Sequence, residues 1–444
     1  MAAVGEKRRC DRQILAIALP AIVANITIPL LGLLDVGIAG HLGVAKFIGA
    51  VAVGSMMFNL IYWNFGFLRM GTSGMTAQAY GRADRAGQAS VLQRAAVLGA
   101  LIGLAVIVLQ VPLRWLALLA IGPSDDVRQL ATLYFSIGVW GAPALLVMMA
   151  IKGWLLGMQD SRGPMAISIG VNVVNIAVSL VAVFVLHMGF KGIAVGTLTA
   201  EWCGLAYAMA LLRRKHPWLS AHISLRAAVR LRGAGSFFKV NADIFARSFL
   251  LMLVTLFFMA VGARSGDVIL AVNALIMQMF TLFSYFMDGI AFAGEALVGK
   301  CVGRRDEAAL RLCVRRLLLW GSVLALLFAV AYMAFPQFIF GLLTTDGAVL
   351  ATALGYRWWC VAIPLTGMAA FVGDGVFIGL TRTRGMLAAV AVASAAYFAL
   401  YFALPPAMGN GRLWLAFVTY LLLRGAVLAA VYIVGRCWRM AARP

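Results

Sequence analysis

The sequence predicts an all-α polytopic membrane protein: twelve transmembrane helices in two parallel six-helix lobes related by pseudo-two-fold symmetry. Three observations carry this prediction. Of 444 residues, 63% are hydrophobic and 12% charged, with a mean hydropathy of +0.96; soluble domains average about 45–50% apolar, and no soluble fold of this length hides so much apolar surface. Residues 95–113, 317–345 and 385–411 contain no Asp, Glu, Lys or Arg, on the scale of the ~20 residues that cross a bilayer core. Two sequence pairs also recur at one offset of 222, half the chain: GWLLGMQDSRG (153–163) with GVFIGLTRTRG (375–385), and GRAD (81–84) with GRRD (303–306).

Helices follow because backbone polar groups inside hydrocarbon must be satisfied within their own segment, and the runs lack the ~10-residue alternation of a transmembrane barrel. The first span, 13–38, follows Lys7, Arg8, Arg9 and Arg12. Its length, Pro20 and Pro29, and the lack of a small-residue cleavage pattern make it a retained helix rather than a signal peptide. The first half continues through 46–79, 90–112, 129–151, 162–187 and 192–212. The second half reads 234–262, 268–299, 311–335, 349–379, 385–405 and 413–435. The second and eighth spans are long enough to tilt or protrude. Residues 1–212 are thus expected to form an N-lobe, 213–232 a cytoplasmic linker and 233–444 a C-lobe. The linker's ISLRAAVRLR (223–232) fits either a surface amphipathic helix or a solvated loop. Six spans per half is an even number, so the halves run parallel about an axis along the membrane normal, as in transporters that rock one repeat against the other.

Basic residues set the orientation. With a cytoplasmic N-terminus, 25 Lys and Arg lie on the cytoplasmic side and 7 on the other. Both termini are therefore expected inside, in a bacterial cytoplasmic (inner) membrane. The net charge of +21 is spread over many short loops, which is a topology signal with an attraction for anionic lipid and not a nucleic-acid footprint. The six cysteines form no C-x-x-C pair, and the four histidines no metal-ligand spacing, so neither a disulfide framework nor a metal site is expected. His41 and His187 fall at helix ends, where an interfacial role is the simplest one.

Ionisable residues inside spans mark function by default. Asp243 has Lys239 four residues before it and Arg247 four after, on one helical face, which reads as a self-satisfied ion ladder. Asp288 and Glu295 share a face of the long eighth span. Lys152 and Asp374 occupy matched positions under the 222 offset, each just before a G-x-x-x-G whose glycines suit close helix packing. Asp35 has no basic residue within four positions and lies among Gly32, Gly37, Gly40 and Gly43. A lone acid withdrawn from water suits the coupling of an ion to a helix movement.

Four stretches then carry a resemblance over nearly the whole chain: IALPAIVANITIPLLGLLDVGIAGHLG (17–43), GFLRMGTSGMTAQAYGR (66–82), GWLLGMQDSRGP (153–164) and DGVFIGLTRTRG (374–385). Through them the chain resembles the multidrug and toxic compound extrusion (MATE) family, in its DinF-type bacterial branch. The resemblance implies two six-helix bundles that export organic cations and other amphipathic compounds in exchange for H⁺ or Na⁺. It makes Asp35 the first-helix acid tied to coupling, and matches Asn175 and Thr197 to N-lobe lining residues. Where the family pattern has a second aspartate, this chain has Ser179. Glu201, one turn after Thr197 on the same face, offers a replacement. The expected coupling set is Asp35, Glu201, Asn175, Thr197 and Ser179, with Asp374, Asp243 and Arg247 as C-lobe candidates.

The function expected is secondary antiport of small amphipathic or cationic compounds by alternating access, coupled to H⁺. Na⁺ coupling, or flipping of a lipid-linked precursor over a cationic cavity of Arg69, Arg247 and Arg424, are the alternatives. No phosphate-binding G-x-x-x-x-G-K-[ST] loop is present, and no enzymatic motif. The protein is expected to work as a monomer with a small-molecule substrate and membrane lipid as its partners, no nucleic acid, and no cofactor beyond the coupling ion.

Overall fold

The structure is a computed structural model that describes residues 2–42, 44–222 and 235–437. Among the described residues, twelve helices are long and apolar enough to span a membrane. They are α1 (Gly5–Gly40), α2 (Lys46–Gly81), α3 (Arg85–Val108), α4 (Asp125–Gly157), α5 (Arg162–Val185) and α6 (Phe190–Lys215), then α7 (Gly235–Ala263), α8 (Asp267–Arg304), α9 (Glu307–Ala334), α10 (Arg357–Gly379), α11 (Thr383–Ala403) and α12 (Asn410–Val434). The linker stretch 223–232 lies outside the described residues. The expected tenth span, 349–379, is two helices, Gly347–Gly355 and Arg357–Gly379, broken at Tyr356. The long second span is interrupted by a 3-10 turn at Trp63–Gly66.

The 222-residue repeat has a structural cause. Asp84 and Asp306 each cap the helix that follows, accepting a backbone N–H from Gly87 at 2.8 Å and from Ala309 at 2.9 Å. This satisfies one of the orphan donors of a helix N-terminus. The residue before each is left-handed, Ala83 at φ 57° and Arg305 at φ 58°, and the turns at Gln159 (φ 69°) and Thr381 (φ 53°) match at the same offset. GRAD and GRRD are therefore one helix–turn–cap unit used twice.

The paired glycines mark equivalent helix crossings. A Cβ on Gly153 would strike the backbone carbonyl of Arg69, and one on Gly375 that of Ala291. One turn on, a Cβ on Gly157 would lie 2.6 Å from the Ser73 carbonyl oxygen and one on Gly379 3.0 Å from that of Glu295. Small residues let backbones approach closely where hydrocarbon supplies no solvophobic drive between helices, so α4 on α2 and α10 on α8 are the same joint.

By packing, the chain divides into one unit of Val23–Asn241 and another of Met1–Ile22 with Ala242–Pro444. In this packing α1 and α7 each contribute to both units. The early part of α1 packs in the second unit, where Gly289 lies against Ala18 and Ile22 and Arg316 and Trp320 bind Asp11. Its later part, Ile38 and Ala39, packs with Tyr134, Val183, Phe190 and Ile193 in the first. The start of α7 in turn packs Phe237 with Ala95 and Ala150.

Each unit has a core pinned by a buried tryptophan. Trp154 donates to the Gln88 carbonyl at 2.8 Å. Trp414 donates to Asn273 Oδ1 at 2.8 Å, within a reciprocal Asn273–Asn410 amide pair. Removing such a side chain costs about 3–5 kcal/mol. Large aliphatic residues such as Leu104, Val108, Leu326 and Val330 are exposed, as suits surfaces that face lipid.

Candidate ion and substrate sites in the two units

Asp35 lies on the later half of α1, buried, with its Oδ1 lacking a hydrogen-bond partner. Asn172 on α5 donates to the Thr27 carbonyl at 3.1 Å, which ties α5 to the same stretch of α1. One turn along α5, Asn175 donates from Nδ2 to Thr197 Oγ1 on α6 at 3.0 Å. The Thr197 hydroxyl is spent on the Ile193 carbonyl (3.2 Å), so it meets Asn175 as an acceptor. Asn175 Oδ1 and Ser179 Oγ are buried without partners. Ser179 presses on Gly196, where any Cβ would collide with its hydroxyl. A serine at 179 is thus matched to a glycine at 196.

Glu201 continues the face of Thr197. Its Oε2 is buried without a hydrogen-bond partner and lies against the α-carbon of Gly141. No hydrogen bond joins it directly to Asp35. A residue missed in the sequence joins this face of α6: Tyr134 on α4. Its hydroxyl is 3.4 Å from Thr197 Oγ1, and its ring fits against Gly54 and packs with Phe58 and Phe190. Tyr134, Asn175 and Thr197 therefore form one polar cluster inside the first unit, with Glu201 one turn on along α6 and Asp35 and Ser179 buried in the same unit. Nothing in the local sequence distinguished Tyr134 from the other ten tyrosines; only the fold of α4 against α2 and α6 selects it.

The second unit is organised differently. Asp374 on α10 accepts from Arg247 on α7 and, at 2.8 Å, from Arg424 on α12, both through Oδ2. All three side chains are buried. The ladder expected within α7 does not form: Arg247 reaches Asp374, and Asp243 accepts from Thr383 at 2.7 Å. No ion pair among the described residues joins Asp243 to Lys239. Of the three arginines that the flippase alternative needs around one cavity, Arg247 and Arg424 meet at Asp374, whereas Arg69 belongs to the other unit. An isolated arginine at mid-membrane costs about 2.5–3.5 kcal/mol on insertion scales. Here two arginines share one carboxylate, so the cluster keeps an excess positive charge.

The MatE family pattern matches residues 20–181 and 244–403, most of both halves. The chain belongs to the MATE family. It is 37% identical over 434 residues to the DNA damage-inducible protein F of Escherichia coli, covering 97% of this chain and 93% of that one. It is 25% identical to a probable multidrug resistance protein NorM of Rhizobium meliloti, covering 97% and 94%. A solved MOP superfamily transporter from Pyrococcus furiosus superposes with a TM-score of 0.80 at 16% identity, covering 96% and 95%; at that identity the likeness is one of fold. Membership in the MATE family makes the chain a multi-pass membrane transporter of the multidrug-efflux class. It also explains why both halves carry the same joints and caps.

Proposed function

We propose that this MATE protein is a secondary antiporter that exports small amphipathic or cationic compounds in exchange for protons. It works by alternating access, as a monomer in the bacterial cytoplasmic membrane with both termini cytoplasmic and no cofactor. The observation that carries the proposal is a pair of carboxyls in the first unit, Asp35 and Glu201, each with a buried oxygen that has no hydrogen-bond partner. A carboxylic acid poised between protonation states needs only one proton to change its charge, and in lipid that change alters which conformation is stable. Ser179 in place of an acid leaves Glu201 as the second proton carrier.

Sodium coupling is the second reading, favoured by one observation. Asn175 Oδ1 and Ser179 Oγ are unpartnered oxygens in the same unit, of the hard type that alkali and alkaline-earth cations take. Reconstitution in proteoliposomes under an imposed pH or Na⁺ gradient, one at a time, decides between the two. Export of a cationic dye should follow the pH gradient and ignore Na⁺; a rate that follows Na⁺ alone overturns the proton assignment. Asp35→Asn should abolish ion-driven export while the protein still folds. Full dye/H⁺ exchange by Glu201→Gln would remove Glu201 from the pathway.

A further inference from the structure

The C-terminal unit holds a buried cluster of two arginines and one aspartate. Arg247 and Arg424 both bind a single oxygen of Asp374, so two guanidiniums face one carboxylate. The other nearby acid of α7, Asp243, is held by Thr383 at 2.7 Å. Arg424 lies ten residues from the end of α12 at Val434, about 15 Å along the helix at 1.5 Å per residue, within hydrocarbon depth. The guanidinium of Arg424 lies 5.5 Å from the centre of the Tyr420 ring, and Tyr420 stands 6.1 Å from Tyr397. In and beside this cluster several buried polar atoms lack partners: the Nε of both arginines, Asp374 Oδ1 and the Tyr397 hydroxyl.

We infer that Arg247 and Arg424, with Tyr397 and Tyr420 beside them, form a binding site for the anionic group of an amphipathic organic acid. The chemistry is specific. A planar guanidinium pairs a carboxylate or sulfonate through parallel N–H donors, free hydroxyls supply further donors, and the tyrosine rings accept an aromatic body. Asp374 tunes the site. It neutralises one arginine, so that the bound acid neutralises the other and the cluster reaches zero net charge only when occupied. The same chemistry is offered by the headgroup of an anionic phospholipid, and the experiment separates the two. The inference rests on the efflux reading above only in making such an acid cargo.

The test is equilibrium binding to the purified full-length protein in detergent, using naphthalene-2-carboxylate and its neutral isostere naphthalene-2-carboxamide. The acid should bind roughly tenfold or more tightly than the amide, a gap expected when a buried charge loses its partner. Arg424→Gln should close that gap and Arg424→Lys should keep much of it. Asp374→Asn, which raises the excess charge without changing shape, should tighten the acid and leave the amide alone. A misfolded protein cannot gain affinity, and if Asp374→Asn does not fold, the wild-type pair and the Arg424 variants still decide. Equal affinity for acid and amide, or a gap that survives Arg424→Gln, overturns the site. Loss of the acid on adding phosphatidylglycerol at equal concentration overturns the organic-acid assignment in favour of a lipid headgroup. No gradient is applied, so failure here and failure of proton-driven export are independent outcomes.

Discussion

Gly141→Ala tests whether the position of the Glu201 carboxyl matters to transport. The three nearest atoms to a Cβ at this glycine all belong to Glu201: Oε2, which it would overlap, Cδ at 2.7 Å, and Cβ at 3.5 Å. Ordinary carbon contacts begin near 3.5 Å and the overlapped oxygen lies deepest inside that limit, so the carboxyl end must retreat by about 2 Å. That end is flexible, and an off-rotamer side chain costs only about 0.5–1.5 kcal/mol. The variant should therefore melt within about 1 kcal/mol of wild type, yet lose export as Glu201→Gln does. Gly153→Ala is the contrasting control, because there the obstacle is the Arg69 backbone, with C and Cα both at 2.9 Å. Helix α4 cannot lift from α2 without loss of packing, and overpacking of this kind costs about 1–3 kcal/mol. Proton-gradient export in proteoliposomes and thermal denaturation in detergent are the two readouts. Wild-type export by Gly141→Ala, or a Gly153→Ala protein as stable as Gly141→Ala, refutes the reasoning.

Three further outcomes are expected. Asp84→Ala and Asp306→Ala should each lower stability by about 1 kcal/mol, the worth of a helix N-cap, and by similar amounts because the caps are equivalent; melting curves of the single variants check this. Thr197→Val should cost about 1–3 kcal/mol by stranding the Asn175 amide at a buried site and should impair export, seen by denaturation and transport together. His216, just beyond α6, packs edge-on against Trp154 at 4.9 Å, and its burial holds its pKa below the ordinary histidine value. Its stabilising contribution is complete above the unfolded pKa of about 6.5 and declines as pH falls below it, because the unfolded chain takes up the proton first. The melting temperature of wild type should thus fall between pH 7.5 and 5.5 by more than that of His216→Phe.

Much of the fold was legible because hydrocarbon imposes it. Apolar runs and turn signals marked twelve spans, most ends of which fall within a few residues of the helices, and the repeat pointed to turns and joints that are equivalent in both halves. The break at Tyr356 was read through, although Gly355 and Arg357 flank it, because apolar residues resume on both sides. Exchange of the ends of α1 and α7 between units was hidden for a related reason: chain order suggests each lobe keeps its own spans, and packing alone assigns them. In the site, Asn175, Thr197 and Glu201 could be grouped because they lie at helical spacing on two adjoining helices. Tyr134 could not, since it arrives from a third. Arg247 misled for the same reason. Its neighbour at i−4 was a plausible partner, but the shorter path for a long guanidinium ran across to α10, where Arg424 also arrives.

The equivalent joints have a consequence for how this chain can be altered. Gly153 and Gly375, Gly157 and Gly379, Asp84 and Asp306 are interchangeable parts, while the polar residues set upon them are not. Asp35 has Phe257 as its counterpart 222 residues on, and that ring meets the rings of Tyr397, Phe398, Tyr401 and Phe402. Arg247 and Arg424 have Asn25 and Trp202 as theirs. One duplicated chassis thus carries two unrelated chemistries, an acidic one and a cationic one. Either half serves as a built-in comparison for the other: a change that matters equally at both matched positions belongs to the chassis, and a change that matters at only one has touched the cargo or its ion.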